Sequence, residues 1–384
     1  MTDTPAPARR VPAVLVAGAG LLGASVAYHL AIAGAEVTIL EMDRPGGGTT
    51  GSSFAWTNAQ DKNPPAYFAL NAAGVAAYPE LAAALGSDWY HPGGDLAIAR
   101  GAGIPKLRER VERHRAIGYP ATILDRDGLA ALEPGLVVGS EELLAVHWEQ
   151  EAWIDAPLLV ERLLAAARAR GARLLTNVKV SELEVVGNLV RHVRLATGDH
   201  LTADLVLVAA GPATELLARR TGVALPMAPS PGLLAVSAPI EAGIGVGRVV
   251  HAGDVAVRPD VGGGLMASSR EIDARLDPAI REIAADAEPC AELFRRAARL
   301  VPGLGSAGFT SARIGVRSVP ADGLPAAGFG PGVENAYFLA SHSGATLAPV
   351  LGRLVAAELL GDPQAELEPY RLERFVAGPA TPAT

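Results

Sequence analysis

The stretch Val14-Leu15-Val16-Ala17-Gly18-Ala19-Gly20-Leu21-Leu22-Gly23, followed after a helical segment by Val37-Thr38-Ile39-Leu40-Glu41, decides the fold. An apolar strand enters a glycine turn, a helix follows, and a second apolar strand ends in an acid. Gly18 permits the tight turn, Gly20 lets the backbone approach a pyrophosphate, and Gly23 lets the helix lie close to the strand. The pattern predicts a dinucleotide site, and this motif alone does not choose between FAD and NAD.

Three further residues belong to this predicted site. A pyrophosphate would lie on the N–H groups at the helix N-terminus, where Ala19 and Leu22 stand and where the helix dipole favours negative charge. Glu41 ends the second strand at the distance where an acid accepts hydrogen bonds from a ribose. The strand before the turn, the helix after it and the acid all lie where a dinucleotide-binding motif has them. A glycine turn that arose by chance would lack this combination.

Composition narrows the class of protein. The chain has 384 residues, of which 49% are hydrophobic and 19% are charged, so two domains and a large core are expected. The net charge of −8, without a long basic run, argues against nucleic acid as a partner. A single cysteine, Cys290, excludes an internal disulfide framework and a multi-cysteine metal site. No segment is typical of a membrane span or a signal peptide, so we predict a cytoplasmic protein with no membrane partner and no metal.

Strand–turn–helix patterns of the nucleotide-binding type occur at the start, in the middle and near the end of the chain. The predicted nucleotide-binding domain, which the resemblance given below implies is an FAD-binding domain, therefore comprises 11–90, 146–224 and 313–376. The predicted substrate domain comprises 91–145 and 225–312, and 1–10 and 377–384 are predicted tails. Helices are expected over 65–85, 103–117, 155–170, 275–300 and 347–360.

A glycine- and hydroxyl-rich loop follows the first βαβ unit. It contains Thr49, Thr50, Ser52 and Ser53. Hydroxyls and unobstructed N–H groups in one loop favour contact with a phosphate, and a flexible connector is the alternative interpretation.

Two C-terminal motifs complete the pattern. The first is Arg317-Ser318-Val319-Pro320-Ala321-Asp322-Gly323-Leu324-Pro325, and the second is Ser341-His342-Ser343-Gly344-Ala345-Thr346-Leu347. With the N-terminal motif and Val206-Leu207-Val208-Ala209-Ala210-Gly211, they resemble the D-amino acid oxidase superfamily of flavoproteins, which includes glycine oxidase and sarcosine oxidase. The resemblance implies an α/β fold: a Rossmann-like FAD-binding domain with a discontinuous second α+β substrate domain.

The resemblance also implies an extended FAD. The residues of the first turn and Ser343, Gly344, Ala345, Thr346 and Leu347 would hold its pyrophosphate and flavin, Val178 would contact its adenine through the backbone, and Ala210 and Gly211 would lie beside it. Covalent members of the family attach flavin through a cysteine ahead of the Asp-Gly-x-Pro motif. This chain has no cysteine there, so FAD is expected to be non-covalent.

An arginine fork suits a substrate carboxylate, because a guanidinium makes two parallel hydrogen bonds with it. Arg317 is the first candidate, since glycine-oxidase-like relatives carry a substrate arginine at this place. Arg313 and Arg258 compete with it. A surface arginine at a strand end is the structural alternative.

Two histidines are further catalytic candidates. His342 would either approach the flavin or substrate or pack behind its turn, and His251, on a predicted substrate-domain strand, would be either catalytic or structural. Phe54, Trp56 and Asn58 follow the hydroxyl-rich loop, and the two aromatic side chains would be either walls of the site or part of the packed core. Tyr90 and His91 are weaker candidates.

The leading functional hypothesis is FAD-dependent oxidation of an amine or amino acid, with hydride transfer to flavin N5 and reoxidation by oxygen or an electron carrier. A flavin dehydrogenase of a hydroxy acid, an NAD-dependent dehydrogenase and a non-catalytic FAD-binding subunit are the alternatives. The C-terminal Ser-Gly-Ala-Thr turn disfavours the NAD alternative, because a nicotinamide enzyme has no need of it.

Overall fold

The structure, a computed structural model, describes residues 11–228, 230–241 and 243–376. The predicted tails at 1–10 and 377–384 lie outside the described residues. The helices are α1 (Leu21–Ile32), α2 (Pro65–Leu85), α3 (Gly103–Ala116), α4 (Arg126–Leu132), α5 (Ala156–Arg168), α6 (Thr214–Arg220), α7 (Arg270–Asp273), α8 (Glu288–Leu300) and α9 (Gly344–Leu359).

The strands are β1 (Ala13–Ala17), β2 (Glu36–Leu40), β3 (Trp56–Thr57), β4 (Tyr90–Pro92), β5 (Asp95–Arg100), β6 (Thr122–Leu124), β7 (Leu143–Trp148), β8 (Ala152–Ile154), β9 (Arg173–Leu175), β10 (Val180–Val186), β11 (Leu189–Leu195), β12 (His200–Leu201), β13 (Leu205–Val208), β14 (Met227–Ala228), β15 (Pro231–Ser237), β16 (Val249–Ala252), β17 (Val255–Pro259), β18 (Leu265–Ser268), β19 (Phe309–Val316), β20 (Val319–Pro320), β21 (Ala326–Gly330) and β22 (Val333–Ala340).

A six-stranded sheet carries the N-terminal motif. Its order is β21-β22-β13-β1-β2-β9, and every neighbouring pair except β21–β22 is parallel. Val16 lies opposite Ile39 on one side and Leu207 on the other. Alternate residues face two separate cores, as strands buried on both faces require. This sheet confirms the predicted α/β, Rossmann-like fold class.

Helices α1, α2, α5 and α9 bury their apolar residues with one face of this sheet. Two glycines permit the closest helix contacts. A Cβ on Gly74 of α2 would lie 2.4 Å from the Thr346 carbonyl oxygen, and one on Gly352 of α9 would lie 2.1 Å from Ser25 Oγ. These approaches fix the position of the N-terminus of α9, which is part of the site described below.

The second large sheet has eight strands in the order β19-β15-β18-β17-β16-β5-β7-β6. One face packs against α8, where Cys290 is buried with Leu293 and Val257. Because side chains alternate along a strand, Arg258 and His251 belong to the opposite face. Strands β7 and β19 of this sheet cross the predicted domain boundaries at 146 and 313, and the division into domains stays a prediction.

Two predicted helices differ from the structure. The helix expected over 275–300 begins only at Glu288, because Pro278 interrupts the earlier segment and Pro289 suits a first helical turn. The helix expected over 347–360 begins earlier, at Gly344, so part of the predicted glycine turn is the first turn of α9. The amides of that turn are therefore helix N-terminal donors.

Helix α2 is the one segment of the described residues that is long and apolar enough to cross a membrane. A core helix of a globular protein passes the same test. Tyr78 of α2 is fully buried and Leu81 nearly so, both within the core shared with α1 and α9.

Candidate active site

The turn between β1 and α1 has the geometry that its glycines predict. Gly18 has a φ of +109°, and a Cβ there would lie 2.5 Å from the Ala209 carbonyl oxygen. A Cβ on Gly23 would lie 2.1 Å from the Gly18 carbonyl oxygen. Neither position has room for a side chain, so the close approach of α1 to the sheet depends on both glycines.

Some backbone amides at the start of α1 donate to acceptors within the protein, and others have no partner. The Ala19 amide donates to Glu41 Oε2 at 2.9 Å, and the Leu21 amide donates to Thr50 Oγ1 at 3.0 Å. The amides of Gly20 and Leu22 make no hydrogen bond within the part of the chain that the structure describes. Two free N–H groups at a helix N-terminus form a site for an anion such as a pyrophosphate.

Glu41 lies where a ribose acceptor is expected. Its second oxygen, Oε1, accepts the Asp43 amide at 3.0 Å, so each carboxylate oxygen has one internal donor and keeps capacity for another. The Val178 amide donates to the Glu41 backbone oxygen at 2.8 Å. The predicted ribose and adenine contacts are therefore neighbours in the structure.

The hydroxyl-rich loop is a short 3₁₀ turn over Thr49–Ser52. Thr49 donates its hydroxyl to the Val316 carbonyl at 2.6 Å, and Ser53 Oγ accepts the Ala55 amide at 3.0 Å. A Cβ on Gly315 would lie 2.5 Å from the Ser52 carbonyl oxygen. The loop is therefore held between α1 and β19, and its predicted role as a phosphate contact stays a prediction.

Ala210 and Gly211 follow the C-terminal end of β13, beside β1 in the sheet. Gly211 has a φ of +59°, and a Cβ there would lie 3.9 Å from Thr49 Oγ1. The structure thus brings this predicted segment close to the hydroxyl-rich loop.

The second glycine motif forms another helix N-terminus. The amides of Gly344, Ala345 and Thr346 make no hydrogen bond within the described residues, whereas Leu347 donates to the Ser343 carbonyl at 2.9 Å. Thr346 Oγ1 accepts the Asn58 amide at 3.1 Å. We call residues 341–347 the flavin turn. It presents three free donors, and the Asn58 contact attaches the segment after β3 to it.

Lys62, which the sequence patterns did not indicate, contacts the flavin turn. Its Nζ donates to Ser343 Oγ at 3.1 Å, and the Tyr67 hydroxyl lies 2.6 Å from the same oxygen. Burial and the nearby Arg270 lower the pKa of Lys62 to about 8, against the opposing effect of Asp61 and Glu151. A half-buried ammonium thus lies at the start of α9.

His342 lies in the flavin turn with its side chain accessible to solvent. Its pKa is lowered to about 4 by the desolvation of its surroundings and by the positive charges of Lys62, Arg317 and Arg270. At neutral pH His342 is an uncharged imidazole near three cations.

Arg317 follows β19 and is half-buried. Its Nη2 pairs with the buried Asp273 of α7, and its Nη1 donates to the Pro231 carbonyl at 3.2 Å. The structure thus brings Arg317 near His342 but ties one arm of its fork to an internal carboxylate. Its role as substrate anchor stays a prediction.

Arg258 and Arg313 line a cavity of about 340 Å³ together with Trp153. Arg258 is 4% exposed, lies 4.4 Å from the centre of the Trp153 ring, and donates to the carbonyls of Phe54 and Pro259. Burial and the charge of Arg313 lower the pKa of Arg258 to about 10. The Phe54 ring lies 5.5 Å from Arg258 Cζ and 6.2 Å from the His251 ring, so it contacts both side chains on this face of the sheet.

His251 is held by a carboxylate. Its Nδ1 lies 2.6 Å from Oδ1 of the fully buried Asp95, and its ring lies 4.2 Å from that of Trp56. Trp56 precedes Asn58, whose amide contacts the flavin turn. The structure therefore brings the second predicted histidine into the neighbourhood of the first.

Tyr90 and His91 lie elsewhere. Tyr90 stacks on Tyr78, and His91 stacks on Trp153 with ring centres 3.7 Å apart. These ring contacts pack β4 against its neighbours.

The residues present fit an FAD. Two helix N-termini offer free amides, the first behind glycines that leave no room for side chains, and an acid lies at the ribose position. This arrangement defines a dinucleotide-binding protein of the Rossmann type.

Comparison with known proteins identifies the family. The family described as FAD dependent oxidoreductase, DAO, matches residues 13–358, and the chain belongs to it. It is 29% identical over 374 residues to the "Uncharacterized oxidoreductase YurR" of Bacillus subtilis (93% of this chain, 97% of that protein). It is 28% identical over 382 residues to the glycine oxidase of Geobacillus kaustophilus (94% and 97%). The crystal structure of that glycine oxidase has a TM-score of 0.83 at 24% identity (94% and 99%).

These findings establish that the chain is an FAD-dependent oxidoreductase, and they confirm the predicted family and cofactor. The FAD is held without a covalent bond. The one cysteine, Cys290, is buried on α8 against the far face of the large sheet.

Proposed function

We propose that this enzyme oxidises a C–N bond of an amine or amino acid, and that Arg317 binds the carboxylate when the substrate has one. The observation that carries the proposal is the position of Arg317, which lies near enough to His342 of the flavin turn for its charge to lower the pKa of that imidazole. A half-buried guanidinium thus lies near the turn at which the flavin is expected. The sequence relationship to a glycine oxidase supports the reaction type.

FAD, when bound, accepts a hydride from the substrate carbon and passes the electrons to oxygen or an electron carrier. The chain's own residues bind and orient the substrate. Arg317 keeps hydrogen-bonding capacity beyond its contacts with Asp273 and Pro231, because a guanidinium has five N–H donors. Asp273 partly neutralises the guanidinium, so carboxylate binding competes with an existing ion pair.

An uncharged His342 is suited to this position. A second positive charge beside Arg317 would repel a substrate ammonium group, whereas a neutral ring does not. Desolvation, together with the charges of Lys62, Arg317 and Arg270, lowers the pKa of His342 to about 4. His342 therefore lies near the flavin turn without adding a positive charge to it.

The test compares a carboxylated substrate with its decarboxylated amine in anaerobic flavin reduction. Arg317→Lys keeps the charge and loses the planar fork, and Arg317→Ala removes both. We expect Arg317→Ala to lower kcat/KM about hundredfold for the carboxylated substrate, which matches a lost charge-assisted pair of about 3 kcal/mol. The decarboxylated amine should lose little, and FAD affinity should stay unchanged.

Arg313→Ala is the matched control, since Arg313 lies four residues earlier, is exposed, and makes no ion pair within the described residues. It should leave both substrates unaffected. Equal losses for the two substrates in the Arg317 variants would reject Arg317 as the anchor. A larger effect of Arg313→Ala would transfer the role to the cavity that Arg313 shares with Arg258.

A further inference from the structure

Two carboxylates are buried next to His251, and no sequence motif indicated either of them. Asp95 is 0% and Glu151 is 1% exposed. Gln60 joins them, since its Nε2 donates to Asp95 Oδ2 at 2.6 Å and to Glu151 Oε2 at 3.3 Å. Asp95 Oδ1 is left for His251. A network of this kind is costly to bury unless its charges are compensated.

Glu151 is compensated by hydrogen bonds. It accepts the amides of Ala59 and Gln60, the Tyr119 hydroxyl and the Trp56 Nε1–H, all between 3.0 and 3.1 Å. Burial and the neighbouring Asp95 raise the pKa of Glu151 to about 8. Its donors hold the segment 56–60, which carries the Trp56 ring that contacts His251.

Asp95 has fewer donors and a different partner. Within the described residues neither Asp95 nor Glu151 forms an ion pair with a lysine or arginine, and His251 is the basic side chain within 4 Å of Asp95. The charged groups around the pair are Lys62 after β3 and Arg110 of α3, which reaches Gln60 Oε1 at 3.2 Å. The Tyr119 hydroxyl, which follows α3, is uncharged and donates to Glu151. His251 is therefore the basic side chain in direct contact with the buried Asp95 carboxylate.

The geometry of the histidine leaves one ring nitrogen free. Nδ1 is bound to Asp95, so the ring carries its hydrogen on Nδ1 when it is neutral. Nε2 has no hydrogen-bond partner within the described residues and is not buried. The half-exposed ring has a free acceptor nitrogen and contacts Trp56, two residues before the Asn58 amide that donates to Thr346 of the flavin turn. Such a nitrogen can take a proton from a bound molecule.

Building on the proposed function, we propose that His251 is the base that accepts a proton from the substrate's ammonium group, and that Asp95 is the positioning residue that fixes its tautomer. One N–H bond of the ammonium breaks, its electron pair stays on the substrate nitrogen, and a new N–H bond forms at Nε2. The imidazolium keeps its Nδ1–H on Asp95 and later releases the proton to water. The product of this step is the neutral amine, the form from which hydride can leave the adjacent carbon.

The first experiment reads the tautomer of His251 in the apoprotein by ¹⁵N NMR, with His251→Gln used to assign the signal among the eight histidines. We expect the Nδ1–H tautomer in the wild type. Asp95→Asn, which is isosteric but offers an amide donor, should move hydrogen to Nε2. An unchanged tautomer in Asp95→Asn would overturn the positioning role. If that variant does not fold, an Nε2–H tautomer in the wild type overturns it equally well.

The second experiment measures anaerobic flavin reduction in the holoenzyme against pH. General base catalysis contributes about 10²- to 10⁴-fold, so His251→Gln should lose about hundredfold at pH 7. The loss should disappear near pH ~10, where an alkyl ammonium with a pKa of ~10.4 deprotonates without help. His200→Gln, on exposed β12, is the control and should follow the wild type.

If His251→Gln lowers the rate of flavin reduction equally at all pH values, or does not lower it at all, His251 is not the base. Failure of the proposed function has a different signature. In that case no amine or amino acid reduces the wild-type flavin at any pH, and the tautomer measurement still reports on Asp95.

Discussion

Removal of the Glu41 carboxylate should separate cofactor binding from folding. Both oxygens of this group accept a backbone amide, one from Ala19 at 2.9 Å and one from Asp43 at 3.0 Å. Each oxygen keeps capacity for one ribose hydroxyl. Glu41→Ala therefore removes up to two charge-assisted bonds to FAD and two internal bonds.

The magnitude follows from these contacts. A hydrogen bond to a charged group contributes about 1.5–3 kcal/mol, so the loss of one ribose bond should weaken FAD binding about tenfold to hundredfold, and the loss of both should weaken it further. Ala19 is fully buried and its amide loses its acceptor, whereas Asp43 is exposed and its amide can turn to water. The apoprotein should therefore lose about 1–3 kcal/mol of stability. The loss of FAD affinity is measured separately from this loss, because the titration uses folded apoprotein.

The assay is titration of apoprotein with FAD, together with thermal unfolding without FAD. Glu36→Ala is the matched control, because Glu36 is an exposed acid at the start of the same strand. An unchanged dissociation constant in Glu41→Ala would refute the ribose contact. An equal change in Glu36→Ala would show that the effect is general electrostatics.

Three further predictions follow from the same geometry. Gly23→Ala places a Cβ 2.1 Å from a backbone oxygen, so FAD binding and the melting temperature should both fall, and unchanged values would refute the close approach. The pKa of Lys62 is about 8 in the folded protein and 10.5 in the unfolded chain. Between these pH values the unfolded chain binds more protons than the folded protein, so the free energy of unfolding should rise with pH. Lys62→Met should flatten that rise, as measured by denaturant titrations at several pH values. Acid precipitation should release all flavin into the supernatant, and colour retained in the pellet would indicate a covalent bond.

Local motifs predicted the nucleotide-binding elements well. The turn after β1 needs glycines for reasons contained within the turn itself and its contact with β13, so Gly18 and Gly23 indicate it directly. Helix α2 was expected over 65–85 and has those limits. The helix expected over 275–300 was wrong in its first half, because the pattern was continued across Pro278.

Contacts between distant segments could not be predicted in this way. Lys62 and Ser343 are 281 positions apart and meet only because α2 packs on α9. Asp273 and Asp95 are single acids without a motif. The ion pair of Asp273 with Arg317 and the hydrogen bond of Asp95 with His251 depend on how distant segments align on the large sheet. The sequence indicated the arginine and the histidine, and the structure supplied their partners.

Anaerobic reduction of the bound flavin tests the central claim most directly. The FAD-loaded protein would be mixed with a panel of amines and amino acids, with the hydroxy-acid analogue of each amino acid and with NADH. The account predicts that at least one compound with an oxidisable C–N bond bleaches the flavin and that its hydroxy analogue does not. Bleaching by hydroxy acids or NADH alone would contradict it.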